Sequence, residues 1–343
     1  MVLGNVFRRI GFWSTDYIKG KQVRKHYQDI SSIMENPFSS ESIKRRDHLL
    51  TRLLLHTAGT VPFYSQLNST RLDNFPVVNK TMVLKDLDQF KSSKYLNREL
   101  YKVTIGRSTG TPFYLYYNRN KRKRNTADVL YFFGKAGYKL GDKLYDLEVW
   151  GEHNKKSKIK AWMQNVVHFD ISKITDTRIN TLIQLLKKDK QYKTILGFSS
   201  TLESIGQYLD KTDQKFKVKN IRTIIAGPDC INSYTKNTMS TYFNAPVFAK
   251  YSNEELGILA HQAVDSGENF NINWASYFIE LLDLEKDEPV KQGELGRIVV
   301  TDLFNYAIPI IRYDTGDIAR FSKTDDNLIH FEHIESRMMD LMH

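Results

Sequence analysis

Residues 308–321, IPIIRYDTGDIARF, join an apolar run to a cluster of small and polar residues. Ile308 to Ile311 read as a buried strand. Tyr313-Asp314-Thr315-Gly316-Asp317 reads as the turn that ends it, since glycine takes positive φ at little cost. That turn places Asp317 just past a strand end, where ligands gather in α/β proteins. A carboxylate there accepts two hydrogen bonds at once, for example from the two hydroxyls of a ribose. Alone, the same pattern also describes an ordinary strand–turn–strand corner.

Upstream, strands and helices alternate. LYKVTIG and PFYLYYN flank a small-residue turn, NTADVLYFFGKAG is helical and LYDLEVWG extended. DTRINTLIQLLKKD sets Ile179, Leu182, Ile183 and Leu186 on one helical face. KTILGFSS, IRTIIAG and APVFAKY read as strands. STLESIGQYLDK, with Ser200 and Glu203 as a capping box, and INSYTKNTMSTYF read as helices. Such alternation predicts an α/β fold, a largely parallel sheet covered by helices. After about residue 270 only strands are expected, forming a smaller antiparallel β portion. Residues 1–100 are expected to be a mainly helical lead-in, 101–270 the α/β core and 271–343 the β-rich end, all packed as one domain.

The chain's 343 residues suffice for one large domain or two to three packed subdomains. Cys230 is the only cysteine, which excludes an internal disulfide and a cysteine-based metal cluster and suits a reducing cytoplasm. No apolar run approaches the ~20 residues that span a bilayer. The N-terminus, interrupted by Arg8 and Arg9, does not read as a signal peptide. Val6, Phe7, Ile10 and Trp13 share one face of a possible amphipathic helix. That face is expected to dock on the protein's own body, with a membrane surface as the alternative. The net charge of +11 gathers in 118–125, 154–160, 187–193 and 211–220. Such clusters suit polyphosphate ligands or anionic lipid. Nucleic acid is not expected, because the clusters hold few aromatics and no nucleic-acid-binding motif is present.

Four further segments carry candidate chemistry. Gly106-Arg107-Ser108-Thr109-Gly110-Thr111-Pro112 is rich in donors that can wrap a polyphosphate, although it lacks the Gly-Lys-Ser/Thr ending of a Walker loop. Tyr251, at a strand end, can stack on a flat base, and Glu255 four residues later can hold Mg²⁺. The same residues also read as an acidic helix N-terminus. Ala226-Gly227-Pro228 ends a strand where backbone can approach a ligand closely. Arg337, near the end, can reach a ribose or phosphate.

Together, in this order, these segments resemble the adenylate-forming superfamily of acyl-CoA synthetases, luciferases and peptide-synthetase adenylation domains. The closest likeness is to phenylacetate–CoA ligases and the CapK-like proteins linked to capsular polysaccharide genes. TAGTVPFYSQL, FPVVNKTMVLKDLDQF, GRSTGTPF, KYSNEELGILAHQ and GELGRIVVTDLF with IPIIRYDTGDIARF carry the resemblance, which runs from about residue 49 to the end. It implies that Ser108, Thr109, Gly110 and Thr111 hold the phosphates of ATP. Tyr251 would stack on adenine opposite Ala226, Gly227 and Pro228. Glu255 would carry Mg²⁺, Asp317 the ribose hydroxyls, and Arg337 ribose or phosphate. Trp150, Gly151, Phe198 and Ser199 would line the acid's pocket.

Arg107, Ser252 and Glu254 depart from the family's pattern. Relatives continue past the hinge into a smaller lid domain bearing a lysine, and that domain is expected to be absent from this chain. The implied activity is ATP-dependent activation of a carboxylic acid, with transfer to coenzyme A or another acceptor, in cell-surface polysaccharide biosynthesis. Two alternatives remain: a non-catalytic nucleotide-binding protein, and a membrane- or polyanion-associated scaffold. Neither the acid nor the oligomeric state is legible.

Overall fold

A computed structural model of the chain describes residues 2–67, 69–105, 113–150, 157–212, 218–227, 231–323 and 328–336. In chain order the elements begin with α1 (Val2–Ile18), α2 (Gln22–Glu35) and α3 (Ser40–Thr60). β1 (Val78–Asn79), α4 (Lys80–Lys85), β2 (Tyr101–Ile105) and β3 (Phe113–Tyr117) follow. Next come α5 (Arg119–Lys135), β4 (Lys143–Glu148), α6 (Lys158–Gln164), β5 (Val166–Asp170), α7 (Asp176–Lys188), β6 (Lys193–Gly197), α8 (Ser199–Thr212), β7 (Ile221–Ala226) and α9 (Ser233–Phe243). β8 (Val247–Asn253), β9 (Gly257–His261), β10 (Phe270–Ile272), β11 (Tyr277–Leu282), β12 (Leu295–Asp302), β13 (Tyr313–Lys323) and β14 (Ile329–Ser336) complete the order.

These elements form two compact units that interleave along the chain. The first holds Met1–Lys21, Phe132–Ser252 and His261–Gly267, and the second Gln22–Tyr131, Asn253–Ala260 and Glu268–His343. In the first, β5, β4, β6, β7 and β8 pair in parallel, in that spatial order. Their apolar residues form one core with α7 and α8. The helical spacing predicted for Ile179, Leu182, Ile183 and Leu186 holds, and all four are buried. Each contributes roughly 1.5–3 kcal/mol of transfer free energy. Thr175 caps α7 through the Arg178 N–H, and Asn232 caps α9 through that of Thr235. α8 begins at Ser199, so Ser200 lies inside the first turn and is not the cap.

α1 docks on the first unit by a face different from the predicted one. Asn5 donates to Asp142 Oδ1 at 2.9 Å. Gly141, at φ +98°, lies so close to the Asn5 carbonyl that a Cβ would sit 2.3 Å from it. Asp16 is buried, Trp13 and Val6 are half-buried, and Phe7 and Ile10 are exposed. The apolar stripe is therefore split, because polar contacts at Asn5 set the helix's rotation.

In the second unit β11, β12, β13, β14 and β10 form an antiparallel sheet, and β2 pairs with β3. β1 joins β13 in parallel, with Val78 opposite Tyr313 and Asn79 opposite Asp314. Ile308–Ile311 are buried as expected but are not a strand. Pro309 lacks an N–H, which disfavours a central strand, and Arg312 takes a left-handed φ of 48°. β13 starts only after that residue. Asp302 N–H donates to Ile310 O at 3.1 Å and Arg312 N–H to Thr301 Oγ1 at 2.9 Å, so side chain and strand edge satisfy the irregular backbone.

Among the described residues, no helix is long and apolar enough to cross a membrane.

His261, fully buried in the first unit, has its pKa lowered to about 4, chiefly by desolvation. The unfolded chain takes up this proton from about pH 6.5 downward, whereas the folded chain resists it until about pH 4. The folded state therefore loses stability as pH falls through that window. Urea unfolding at pH 7 and pH 5 is expected to show the loss, and His261→Phe to reduce its slope with pH. An unchanged slope would remove His261 as a cause.

Candidate functional site

In the first unit the predicted residues collect at the carboxyl ends of the parallel strands. The register aligns Leu147 with Gly197, Gly197 with Ala226 and Ala226 with Ala249. Trp150, Phe198, Gly227 and Tyr251 each follow these by one to three residues. In an open α/β sheet this edge is where ligands bind.

Gly227 is needed there by close approach. Its N–H donates to Gly197 O at 3.1 Å, and a Cβ would stand 2.4 Å from the Lys250 carbonyl oxygen. Ala226, Tyr251 and Ser199 are buried, and Phe198 packs against the core. Trp150 stacks on His168, with ring centroids 3.9 Å apart. Its indole N–H donates to Asp146 O at 3.3 Å and its backbone N–H to Asp170 Oδ1 at 3.3 Å. The indole thus lies fixed along β5.

In the second unit Glu255 sits in a tight turn between β8 and β9, not at a helix N-terminus. Asn253 Oδ1 accepts from the Leu256 N–H at 2.9 Å, and Gly257 takes φ +110°. Two buried tyrosines hold the turn's carbonyls. Tyr117 donates to Glu254 O at 2.7 Å, and Tyr277 donates to Leu256 O. Behind them Lys121 Nζ lies 3.1 Å from the Tyr277 hydroxyl and 2.8 Å from Asp302 Oδ2, both ionic side chains being fully buried.

Glu255 itself accepts from the Tyr313 hydroxyl at 3.4 Å, and Lys80 Nζ lies 3.6 Å from the same carboxylate oxygen. Burial and then the Glu255 charge push the Tyr313 hydroxyl's pKa far up, so it remains a donor. Arg312 anchors this strand start by a bidentate pair with Glu280, at 3.2 and 3.1 Å, and a 3.1 Å bond to Phe75 O.

Asp317 lies within β13, not beyond a strand end. The β12–β13 register shifts between Arg297 and Val299, so the Thr315–Asp317 stretch bulges opposite Ile298. Gly316 takes the positive φ that the sequence predicts, at +80°, but it builds a bulge instead of a turn. Thr315 Oγ1 donates to Ile298 O at 3.0 Å and accepts from the Asp317 N–H at 3.2 Å. Asp314 accepts from the Gly316 N–H at 2.9 Å and from Arg297 at 2.7 Å. The bulge leaves Asp317 half-buried.

Ser108, Thr109, Gly110 and Thr111 of the phosphate-type loop lie outside the described residues, as do Gly151, Pro228 and Arg337. Tyr117, Lys121, Tyr277 and Asp302 were not singled out by sequence, and Lys80 was marked only as part of a segment that carries the resemblance, with no role. Lys80 is the lysine of the FPVVNK segment, and the β1–β13 pairing brings that segment beside RYDTGD.

Among the described residues no group of three or more His, Cys, Asp or Glu side chains converges as a metal site. Mg²⁺ takes few protein carboxylates when phosphates supply its other oxygens. Glu255 alone, with an ammonium 3.6 Å away, fits a cation delivered with a nucleotide and does not fit a stand-alone cation site.

No family model matches the chain, and no curated protein does. Among solved structures it is similar to 2-hydroxyisobutyryl-CoA ligase. In complex with 2-HIB-AMP and CoA in the thioesterification state, that enzyme aligns with a TM-score of 0.71 over 88% of this chain and 69% of the ligase, at 16% identity. Its open conformation with the same ligands gives 0.71 over 88% and 76%, also at 16% identity. The postadenylation state with 2-HIB-AMP gives 0.69 over 88% and 68%, at 18% identity. The fold is the one seen in these ligase structures. Both the helix-covered parallel sheet and the antiparallel β portion expected from the sequence are present.

Proposed function

We propose that this protein uses ATP to activate a carboxylic acid as an acyl adenylate and then passes the acyl group to a thiol such as coenzyme A. The observation that carries this reading is the carboxyl edge of the parallel sheet. There Ala226 ends β7, Gly227 follows it with no room for a side chain, and Tyr251 lies in the last part of the adjacent β8. The 2-HIB-AMP and CoA held by the similar ligase support the same chemistry.

A substrate carboxylate oxygen attacks the α-phosphorus of ATP, and pyrophosphate leaves. The thiol then attacks the acyl carbon, and AMP leaves. Tyr251 stacks on adenine beside the Ala226–Gly227–Pro228 backbone, and Asp317 accepts from the ribose hydroxyls. The Ser108–Thr111 loop donates to phosphates, and Arg337 reaches ribose or phosphate. Glu255 would hold a Mg²⁺ ion brought with the nucleotide, and that ion would supply neutralisation of phosphate charge. Lys80 and Tyr313 hold that carboxylate in place. Phe198, Ser199, Trp150 and Gly151 face the acid. A role in cell-surface polysaccharide assembly, with an amine or hydroxyl as a further acceptor, is part of this reading and is supported by the sequence likeness to CapK-like proteins.

ATP–pyrophosphate exchange by the full-length protein, across aryl, fatty and sugar acids, tests the reaction. Exchange with one class is expected. ATP binding with no exchange for any acid would leave a non-catalytic nucleotide-binding protein, and no ATP binding would sink both readings. Asp317→Ala is expected to raise the Kd for ATP at least about tenfold, the equivalent of ~1.4 kcal/mol and of one lost charged acceptor. An unchanged Kd removes Asp317 from the site.

A further inference from the structure

α1 presents two opposite faces. Asn5, Trp13 and Asp16 face the body of the first unit, as described above. The outward face carries Leu3, Phe7, Ile10 and Ile18, whose exposures run from 54% at Ile10 to 83% at Ile18. The same unit exposes a second apolar group on α6, where Ile159, Trp162 and Met163 are each at least 60% exposed. The Arg8 guanidinium lies 5.8 Å from the Trp162 ring centroid, so the two helices adjoin. Single exposed apolar side chains are ordinary on a protein surface, but four on one face of α1 and three more on the adjoining α6 mark an interaction face. Because α1 is already docked by its other face, folding of the unit leaves this set uncovered.

The exposed charges carried by the two helices and their flanks have one sign. Arg8, Arg9, Lys19, Lys21, Lys158 and Lys160 are the basic residues of residues 2–21 and 157–164. Asp16, the one acid in these stretches, is buried. A second copy of the chain would bring like charges together, which opposes self-association. An anionic bilayer surface supplies both an apolar boundary and negative headgroups. A helix of 17 residues docked by one face, with its apolar face outward, suits a position in the plane of the interface.

We propose that the α1–α6 face seats the protein on an anionic membrane surface. The apolar side chains enter the headgroup boundary and the flanking arginines and lysines meet the lipid phosphates.

Co-sedimentation of the full chain tests this, with phosphatidylcholine vesicles containing roughly one-third phosphatidylglycerol set against pure phosphatidylcholine. Binding to the anionic vesicles is expected, at least about tenfold tighter than to the neutral ones and weakening with salt. Phe7→Ser with Ile10→Ser is expected to weaken it at least about tenfold without lowering the melting temperature, because both side chains are exposed. Trp162→Ser with Met163→Ser, on the other helix, is expected to act in the same direction. Failure to bind anionic vesicles would overturn the proposal. So would binding that both variant pairs leave unchanged, or a dimer in sedimentation velocity that the Phe7–Ile10 variant dissociates while vesicles go unbound.

Discussion

Lys121→Met alone is expected to destabilise the second unit by about 3–5 kcal/mol, because it strands the buried carboxylate of Asp302. Both side chains are fully buried, 2.8 Å apart. Asp302 Oδ1 accepts from the Phe304 N–H at 2.9 Å, whereas Oδ2 accepts no aligned hydrogen bond. The lysine's charge is therefore what compensates that oxygen. Lys121 also faces the Tyr277 ring, 4.6 Å from its centroid, and bonds its hydroxyl. That hydroxyl donates onward to Leu256 O. The ammonium is thus two hydrogen bonds from the turn that carries Glu255, and its loss should loosen that turn as well as the core. The expected reading is an earlier urea transition together with faster amide exchange in β11 and β12. Lys121→Met with Asp302→Leu removes both charges and is expected to recover most of the loss. A single variant within about 1 kcal/mol of the native protein would show that the pair is not what holds this region.

The first unit was largely legible because its signals are local. Ile179, Leu182, Ile183 and Leu186 recur at helical spacing, and the strand segments are short apolar runs, so periodicity identified both. The misread places depended on partners far along the chain. Ile308–Ile311 have the composition of a strand, but Pro309 and the left-handed Arg312 deny them a ladder. Gly316 announced its positive φ. Whether that φ makes a turn or a bulge depends on the register of β12 opposite, which residues 313–317 do not encode. The Lys80–Glu255 pair joins segments brought together by β1 beside β13, a pairing that no local pattern reveals. The face of α1 failed in the same way. Amphipathicity gives a helix an apolar side, but Gly141, well over a hundred residues away, decides by close approach to Asn5 which side turns inward.

Gly227→Ala is expected to be the most damaging single methyl that can be added along the carboxyl edge. The new Cβ would stand 2.4 Å from the Lys250 carbonyl oxygen, a distance that real Cβ contacts do not reach. Lys250 belongs to β8, whose neighbour Ala249 is paired with Ala226, so relief requires the ends of β7 and β8 to separate. Overpacking that must move backbone costs about 1–3 kcal/mol or more. Gly197→Ala provides the comparison on the adjacent strand. Its Cβ would meet the Leu147 side chain at 3.3 Å, and a side chain can yield by a few tenths of an ångström where a carbonyl in a sheet cannot. Thermal melts are therefore expected to rank Gly227→Ala well below Gly197→Ala. A Gly197→Ala loss equal to or larger than that of Gly227→Ala would refute the close approach as the reason for glycine. The two variants also separate packing from binding. Widening the gap between β7 and β8 shifts Tyr251, one residue beyond Lys250. If Tyr251 stacks on adenine, Gly227→Ala should weaken ATP binding by more than its melting shift accounts for, whereas Gly197→Ala should not. Equal ATP affinity in both variants would take the nucleotide away from this edge while leaving the packing argument intact.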